Sequence, residues 1–228
     1  MHQVFIQPSI EVLNIRIDEP ITTATDLLLA AVCFFAFFRI RKLESTQRIK
    51  WYFKYYFLTL GFGTLFGGLL GHAFLYKISP YWKLVSWILI LISVACIVHA
   101  LVELSKPLVR PAFTRFASVM NLLVLTLAII ITVWTLAFSA VKVYTIFGMF
   151  IVVGTLSYYI FHKTRSRGAS RFLIALAVAL LTAFIVSFEW GLSPWFNHND
   201  ISHVILCFSA LIIYKGASLI LEAPASIL

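Results

Sequence analysis

Charged side chains are scarce in this sequence. Asp, Glu, Lys and Arg together make up 12% of its 228 residues, whereas about a quarter is usual in a soluble domain. Hydrophobic residues account for 61% of the chain, and the mean hydropathy is +0.97. These values exclude an ordinary soluble globular domain and predict an integral membrane protein.

The sequence also lacks the signs of a disulfide framework and of a cleavable signal peptide. Its three cysteines (Cys33, Cys96 and Cys207) each lie inside an apolar run, which argues against a disulfide framework. Residues 1–20 contain no long apolar core, so we expect no cleavable signal peptide ahead of the first apolar segment. Within them, residues 10–17 are short and partly alternating, which predicts a small strand or a lid at the membrane interface.

Apolar segments near the ~20 residues that a spanning helix needs occur seven times. Their approximate ranges are 21–40, 52–76, 82–104, 116–138, 141–162, 170–189 and 199–220. We therefore predict an all-α protein with seven transmembrane helices, formed as one domain over residues 21–228 after a short extracytoplasmic segment, residues 1–20. A tight turn near residues 139–142 should join the fourth and fifth helices.

The basic residues predict the orientation. One side of the predicted membrane collects 14 of the 18 Lys and Arg residues, and the other side holds only Arg16, Lys77, Lys83 and Lys142. The positive-inside rule then places the N-terminus outside and the C-terminus in the cytoplasm. The net charge of +9 is explained by this topology and by contact with anionic lipids, so we expect membrane lipids and no nucleic acid as partners.

Polar residues from three helices share one depth of the predicted bundle. Asp26 lies about one turn into the first helix, His72 lies near the outer end of the second, and His198, Asp200 and His203 lie at the outer start of the seventh. Ionisable groups at membrane depth are costly to bury, so they usually have partners and a function. The shared depth predicts a site at the outer end of the bundle.

Small residues precede the histidine of the second helix. Gly63, Gly67 and Gly71 recur at every fourth position, a spacing that lets helix backbones approach closely. A lone histidine facing lipid would be unfavourable. This pattern predicts that His72 points into the bundle.

The spacing at the head of the seventh helix limits which residues can meet. Asp200 and His203 are three residues apart and therefore neighbours on a helix, whereas His198 reaches them only from a non-helical entry turn. Asn199 or Asp200 would also cap this helix. Histidines with an aspartate form a ligand set that zinc takes, with a fourth position left for water in catalytic sites.

The run FNHNDISHV at residues 196–204, the later YKGA at 214–217 and the histidine of the second helix together resemble a known superfamily. The chain looks like a member of the CREST superfamily, which contains alkaline ceramidases, adiponectin and progestin receptors and hemolysin III-like proteins, and is most similar to an uncharacterised bacterial branch. The resemblance implies seven helices, a bacterial inner membrane location, and histidines that hold zinc for hydrolysis of lipid amides.

The match to that superfamily is direct at His72 and His203 only. Gly68 stands where its members have serine, Asn199 stands where they have a second histidine, and the third helix has no aspartate near its outer end. A third ligand would then be His198, Asp200 or Asp26.

Two functions remain open. The first is a zinc-dependent hydrolase of a lipid or acyl amide, with His72, His203 and His198 as metal ligands. In this interpretation Asp26 and Asp200 are the catalytic carboxylates, and Asp26 orients a ligand or acts as general base. The second is a receptor, transporter or structural module without enzymatic activity, which uses the same polar cluster as a ligand pocket.

Overall fold

The computed structural model describes residues 7–45 and 47–223. These residues form seven α-helices: α1 (Pro20–Lys42), α2 (Ile49–Phe66), α3 (Lys83–Ser105), α4 (Pro111–Thr135), α5 (Phe138–Thr164), α6 (Arg167–Ser187) and α7 (His198–Glu222). Helix α2 continues without a break into a π-helical segment, Gly67–Ala73. A second π-helical segment, Phe147–Val153, lies inside α5.

The helical architecture agrees with the prediction from the sequence. Six of the described helices (α1 and α3 to α7) are long and apolar enough to cross a membrane, so the coarse assignment as a helical membrane protein is confirmed. Helix α2 falls outside this set because its first turns carry Lys50 and Lys54 and because its regular α-helical part ends at Phe66, before the apolar π-helical segment. Parts of the predicted N-terminal segment (residues 1–6 of 1–20) and of the predicted transmembrane domain (residues 224–228 of 21–228) lie outside the described residues.

The turn between α4 and α5 lies earlier than predicted. Helix α4 ends at Thr135, Leu136 has the left-handed backbone conformation with φ 51°, and α5 begins at Phe138. Residues 139–142 therefore belong to the first turn of α5. The prediction was wrong by a few residues because nothing in the apolar sequence around the junction distinguishes a two-residue turn from helix.

Helix α1 lies between the two elements that carry the predicted histidines. It packs against α2, against the π-helical segment and against α7. The remaining helices complete the bundle: α2 packs on α3, α3 on α4 and α5, α5 on α6, and α6 on α7. One face of α1 is therefore within reach of both α7 and the end of α2.

Ahead of α1 the chain forms a short antiparallel hairpin of two strands, β1 (Ile10–Val12) and β2 (Ile15–Ile17). The Tyr76 hydroxyl donates a hydrogen bond to the Arg16 carbonyl at 2.7 Å, and the Asp18 amide donates to the Ala73 carbonyl at 3.1 Å. The hairpin is therefore fixed to the chain that leaves the π-helical segment.

Candidate functional site

A single carboxylate lies between the two histidines. Asp26 Oδ2 is 3.8 Å from His72 Nε2, and Asp26 Oδ1 is 3.6 Å from His203 Nε2. Asp26 is buried, with 5% of its surface exposed, while the side chains of His72 and His203 are 27% and 19% exposed. The structure thus brings together three side chains from α1, the π-helical segment and α7.

A glycine permits the close approach of α1 to the π-helical segment. A Cβ atom at Gly68 would lie 2.9 Å from the Cβ of Asp26 and 3.2 Å from the Thr23 carbonyl oxygen, and the first of these distances is shorter than side chains tolerate. By contrast, a Cβ at Gly71 would meet nothing within 4 Å. Gly68, rather than Gly71 from the glycines spaced at every fourth position, therefore lets Asp26 lie beside His72.

The other ring nitrogen of His72 is bound by an acidic residue that the sequence analysis did not assign to the site. His72 Nδ1 and Glu19 Oε2 are 2.7 Å apart. This hydrogen bond holds the pKa of the Glu19 carboxyl below its ordinary value, against the opposing effect of partial burial. Glu19 also has a left-handed backbone, with φ 43° and ψ 56°, a conformation that costs energy in a residue with a Cβ and that is found at functional positions.

The hydrogen bonds around His203 assign its tautomer. The Thr25 hydroxyl donates its one proton to the Thr22 carbonyl at 3.0 Å, so it accepts from His203 Nδ1, which lies 3.1 Å away. In neutral His203 the Nε2 atom then presents a lone pair toward Asp26. By the same argument, donation from His72 Nδ1 to Glu19 leaves a lone pair on His72 Nε2. Two nitrogen lone pairs and a carboxylate repel one another unless a proton or a metal ion lies between them.

The donor types of these three side chains fit zinc, whose catalytic sites commonly use two histidines and one carboxylate. Ligand atoms in a tetrahedral site with bonds of about 2.0–2.1 Å lie roughly 3.3–3.4 Å apart. The distances of 3.6 and 3.8 Å from Asp26 would therefore have to shorten by a few tenths of an ångström. Within residues 7–45 and 47–223, no three His, Cys, Asp or Glu side chains already stand where they could hold a metal ion.

Asp200 belongs to a separate buried network. Its carboxylate accepts hydrogen bonds from the Thr22 hydroxyl at 2.7 Å, from Gln7 Nε2 at 3.0 Å and from the Asn197 amide at 2.7 Å. The Asn197 side chain accepts in return from the amide of Asp200, which completes a capping box. Asn197 is therefore the N-cap of α7, and the prediction of Asn199 or Asp200 as the capping residue was wrong.

His198 also lies apart from the histidine pair. It is the first residue of α7, five positions before His203, so the helix turns the two rings away from each other. Across the described chain, no hydrogen bond or ion pair joins the His198 ring to His72 or His203. The structure thus places Asp26, rather than His198 or Asp200, beside both histidines.

Gln7 joins the beginnings of two helices. Its Oε1 accepts from the amides of Ile21 and Thr22 at 3.1 Å each, two of the first-turn donors that have no partner inside α1. Its Nε2 donates to Asp200 and to the Trp195 carbonyl, both at 3.0 Å. One buried amide therefore ties the entry of α1 to the entry of α7 and fixes the two helices that carry Asp26 and His203.

Four contributors to this region were not predicted from the sequence: Gln7, Glu19, Thr22 and Thr25. Glu19 offered a usable signal, since it is the last acidic residue before a proline that starts a helix. Thr25 could have been proposed from its place next to Asp26. Gln7 gave no signal, because its partners lie 14 to 193 positions away.

Comparisons with known proteins add a family but no function. No curated protein and no solved structure matches the chain significantly. A family model matches residues 21–222, which cover six of the helices in full and all of α1 but its first residue. The matched range contains Asp26, His72 and His203, which with Glu19 are called the histidine–carboxylate group below. The chain belongs to the family of unknown function DUF6962.

Proposed function

We propose that the protein is a zinc-dependent membrane hydrolase acting on a lipid or acyl amide. The observation that carries this proposal is the approach of both histidine Nε2 atoms to the two oxygens of one carboxylate, at 3.8 and 3.6 Å. His72, His203 and Asp26 would be the three protein ligands. Bound zinc would supply a water molecule whose pKa is lowered to about 7, a nucleophile at neutral pH.

The residues around the three ligands support this assignment. Histidine ligands usually donate their second ring nitrogen to a carboxylate, carbonyl or water, which fixes the tautomer and the ring orientation. The Glu19 carboxylate accepts from His72 Nδ1 at 2.7 Å, and the Thr25 hydroxyl accepts from His203 Nδ1 at 3.1 Å. Asp26, named as an orienting group or general base from the sequence, takes the place of the third ligand in this proposal.

The decisive measurement is the metal content of the protein. After purification without chelators, elemental mass spectrometry should find about one zinc per chain, as expected for three protein ligands and one water. Release of fatty acid from an acyl-amide lipid in proteoliposomes should stop when a chelator removes the metal and resume on addition of zinc. Absence of bound zinc in the wild-type protein at neutral pH would contradict the hydrolase proposal.

The alternative is a membrane module without enzymatic activity. It is favoured by the lack, among the described residues, of three side chains already spaced to hold a metal ion. In that case a shared proton would link Asp26 to the histidines, and the same group would form a hydrogen-bonded pocket for a ligand. The zinc measurement separates the two functions, because only the hydrolase needs the metal.

We also propose that all seven helices cross the membrane of a bacterial cell, with the N-terminus outside. The Lys and Arg distribution supports this orientation. Helix α2 and the π-helical segment together run from Ile49 to Ala73, which is long enough to span a hydrocarbon core of about 30 Å. The histidine–carboxylate group would then lie at the outer end of the bundle.

Cysteine labelling of intact cells tests this orientation. In a variant whose three cysteines are replaced by alanine, an impermeant maleimide should label Lys77→Cys and Leu192→Cys, which lie in the connections at the proposed outer side. It should label Ser45→Cys and Ser166→Cys only after the cells are lysed, since both lie on the basic side. Labelling in the reverse pattern would invert the proposed topology.

A further inference from the structure

The hairpin ahead of α1 has one apolar face that the rest of the described chain covers only in part. Its register pairs Ile10 with Ile17 and Val12 with Ile15, so these four side chains project from the same face. Glu11 and Arg16 pair on the opposite face. Ile10, Val12 and Ile15 are 37%, 47% and 44% exposed, so the hairpin is amphipathic and a substantial part of its apolar face remains exposed.

The turn of the hairpin exposes a further apolar residue. Leu13 and Asn14 both have left-handed backbones, with φ 52° and 61°, as in the tight two-residue turn that Asn and Gly favour. Asn14 suits this conformation, but leucine adopts it at an energetic cost. The Leu13 side chain is nevertheless 91% exposed, so contacts within the chain do not offset that cost.

The position of the hairpin indicates what covers it. It is fixed through Tyr76, whose hydroxyl binds the Arg16 carbonyl and whose ring lies 5.1 Å from the Arg16 guanidinium. Tyr76 belongs to a group of exposed aromatic side chains at this end of the bundle, Tyr76, Tyr81 and Trp82. Such residues mark the level of the lipid headgroups, so the hairpin is attached to the bundle at that level.

Lipid is a better candidate than a second copy of the chain for covering the apolar face of the hairpin. Stable protein interfaces bury about 800 Å² on each partner, and a face of four aliphatic side chains offers much less. An isolated two-stranded hairpin is also marginally stable in water. We propose that this hairpin lies on the membrane surface, with Ile10, Val12, Ile15 and Leu13 inserted among the lipids at the headgroup boundary.

This contact would reach the histidine–carboxylate group through a very short connection. Only Asp18 and Glu19 separate β2 from α1, and Glu19 binds His72. A hairpin held on the lipid surface therefore also holds Glu19 over His72. The lipid contact itself depends on neither zinc nor catalysis, so the experiment on the hairpin tests it independently of the proposed hydrolase function.

Fluorescence quenching by nitroxide-labelled lipids tests the insertion. Full-length protein without its native cysteines carries an environment-sensitive fluorophore on Leu13→Cys, Val12→Cys or, as matched control, Glu11→Cys on the polar face, in liposomes of neutral and anionic phospholipids. We expect severalfold stronger quenching by a nitroxide near the headgroup at positions 12 and 13 than at position 11, together with a blue-shifted emission.

A second variant separates lipid contact from formation of the hairpin. Leu13→Asn combined with Asn14→Gly gives the turn its preferred residues but removes the apolar tip. The label at position 12 should then lose most of its lipid quenching while the turn is retained. Equal quenching at positions 11 and 13, no quenching at either, or quenching only by nitroxide on a second protein copy would overturn the proposal.

Discussion

Replacement of His72, His203 or Asp26 by alanine is expected to abolish the retention of zinc. Each change removes one of three proposed ligands and leaves too few to hold the metal with an open position. We expect affinity to fall by more than the 10–100-fold that loss of a supporting hydrogen bond typically costs. Glu19→Gln and Thr25→Ala, which alter only such supporting bonds, should fall within that range. Competition with a fluorescent zinc chelator measures all five variants.

His198→Ala is the matched control for the ligand variants. It removes a histidine next to the same group of residues, but one that begins α7 and is turned away from His203, so zinc affinity should stay close to that of the wild type. Thermal unfolding and size-exclusion profiles establish that each variant is folded. Retention of zinc by Asp26→Ala together with its loss from His198→Ala would contradict the site described above and favour the ligand set expected from the sequence.

Asp200→Ala should destabilise the protein strongly without a direct effect on zinc. The carboxylate is fully buried at 0% exposure and accepts from Thr22, Gln7 and the Asn197 amide. Each buried donor left without a partner costs about 1–3 kcal/mol, so we expect a loss of roughly 3 kcal/mol or more in the free energy of unfolding. Reversible unfolding in mixed detergent micelles measures this loss.

Asn199→Ala is the control for that loss of stability. Asn199 precedes Asp200 in the chain, and its backbone amide, which the substitution keeps, donates to the Asn197 side chain at 2.8 Å. Its replacement should therefore change the free energy of unfolding by no more than about 0.5 kcal/mol. At temperatures where the Asp200→Ala variant is still folded, the Asp200→Ala variant should bind zinc as the wild type does. Loss of zinc from a folded Asp200→Ala protein would instead support a direct role for this carboxylate in the site.

Most of the helices could be predicted from the sequence because they are long apolar runs separated by polar or charged residues, and the junction between α4 and α5, which lacks such a boundary, was misplaced by a few residues. The predicted range 82–104 became Lys83–Ser105, and 199–220 became His198–Glu222. That His72 and His203 lie at one level, each within 4 Å of Asp26, agrees with the shared depth and the glycine spacing seen in the sequence. Depth follows from counting residues along a helix, so it requires no knowledge of which helices are neighbours.

The partners of each histidine could not be predicted in the same way. Whether His203 meets Asp26 or Asp200 depends on which helix packs against α7 and at what rotation, and spacing along α7 favoured Asp200 because it is three residues away. In the structure the Asp200 carboxylate instead accepts hydrogen bonds from Thr22 and Gln7. Gln7 lies in a segment without periodicity, so its role as a link between two helix ends has no signature in the sequence.

The π-helical segment at Gly67–Ala73 also affects the direction in which the His72 side chain points. A π-helical turn contains one residue more than an α-helical turn, and one residue corresponds to about 100° of rotation on an α-helix. Removal of a single residue within this stretch is therefore expected to turn the His72 side chain away from Asp26 by about 100°. Relatives with one residue fewer here would keep the bundle and point the corresponding side chain elsewhere, so an alignment of the family should admit a one-residue gap within residues 67–73.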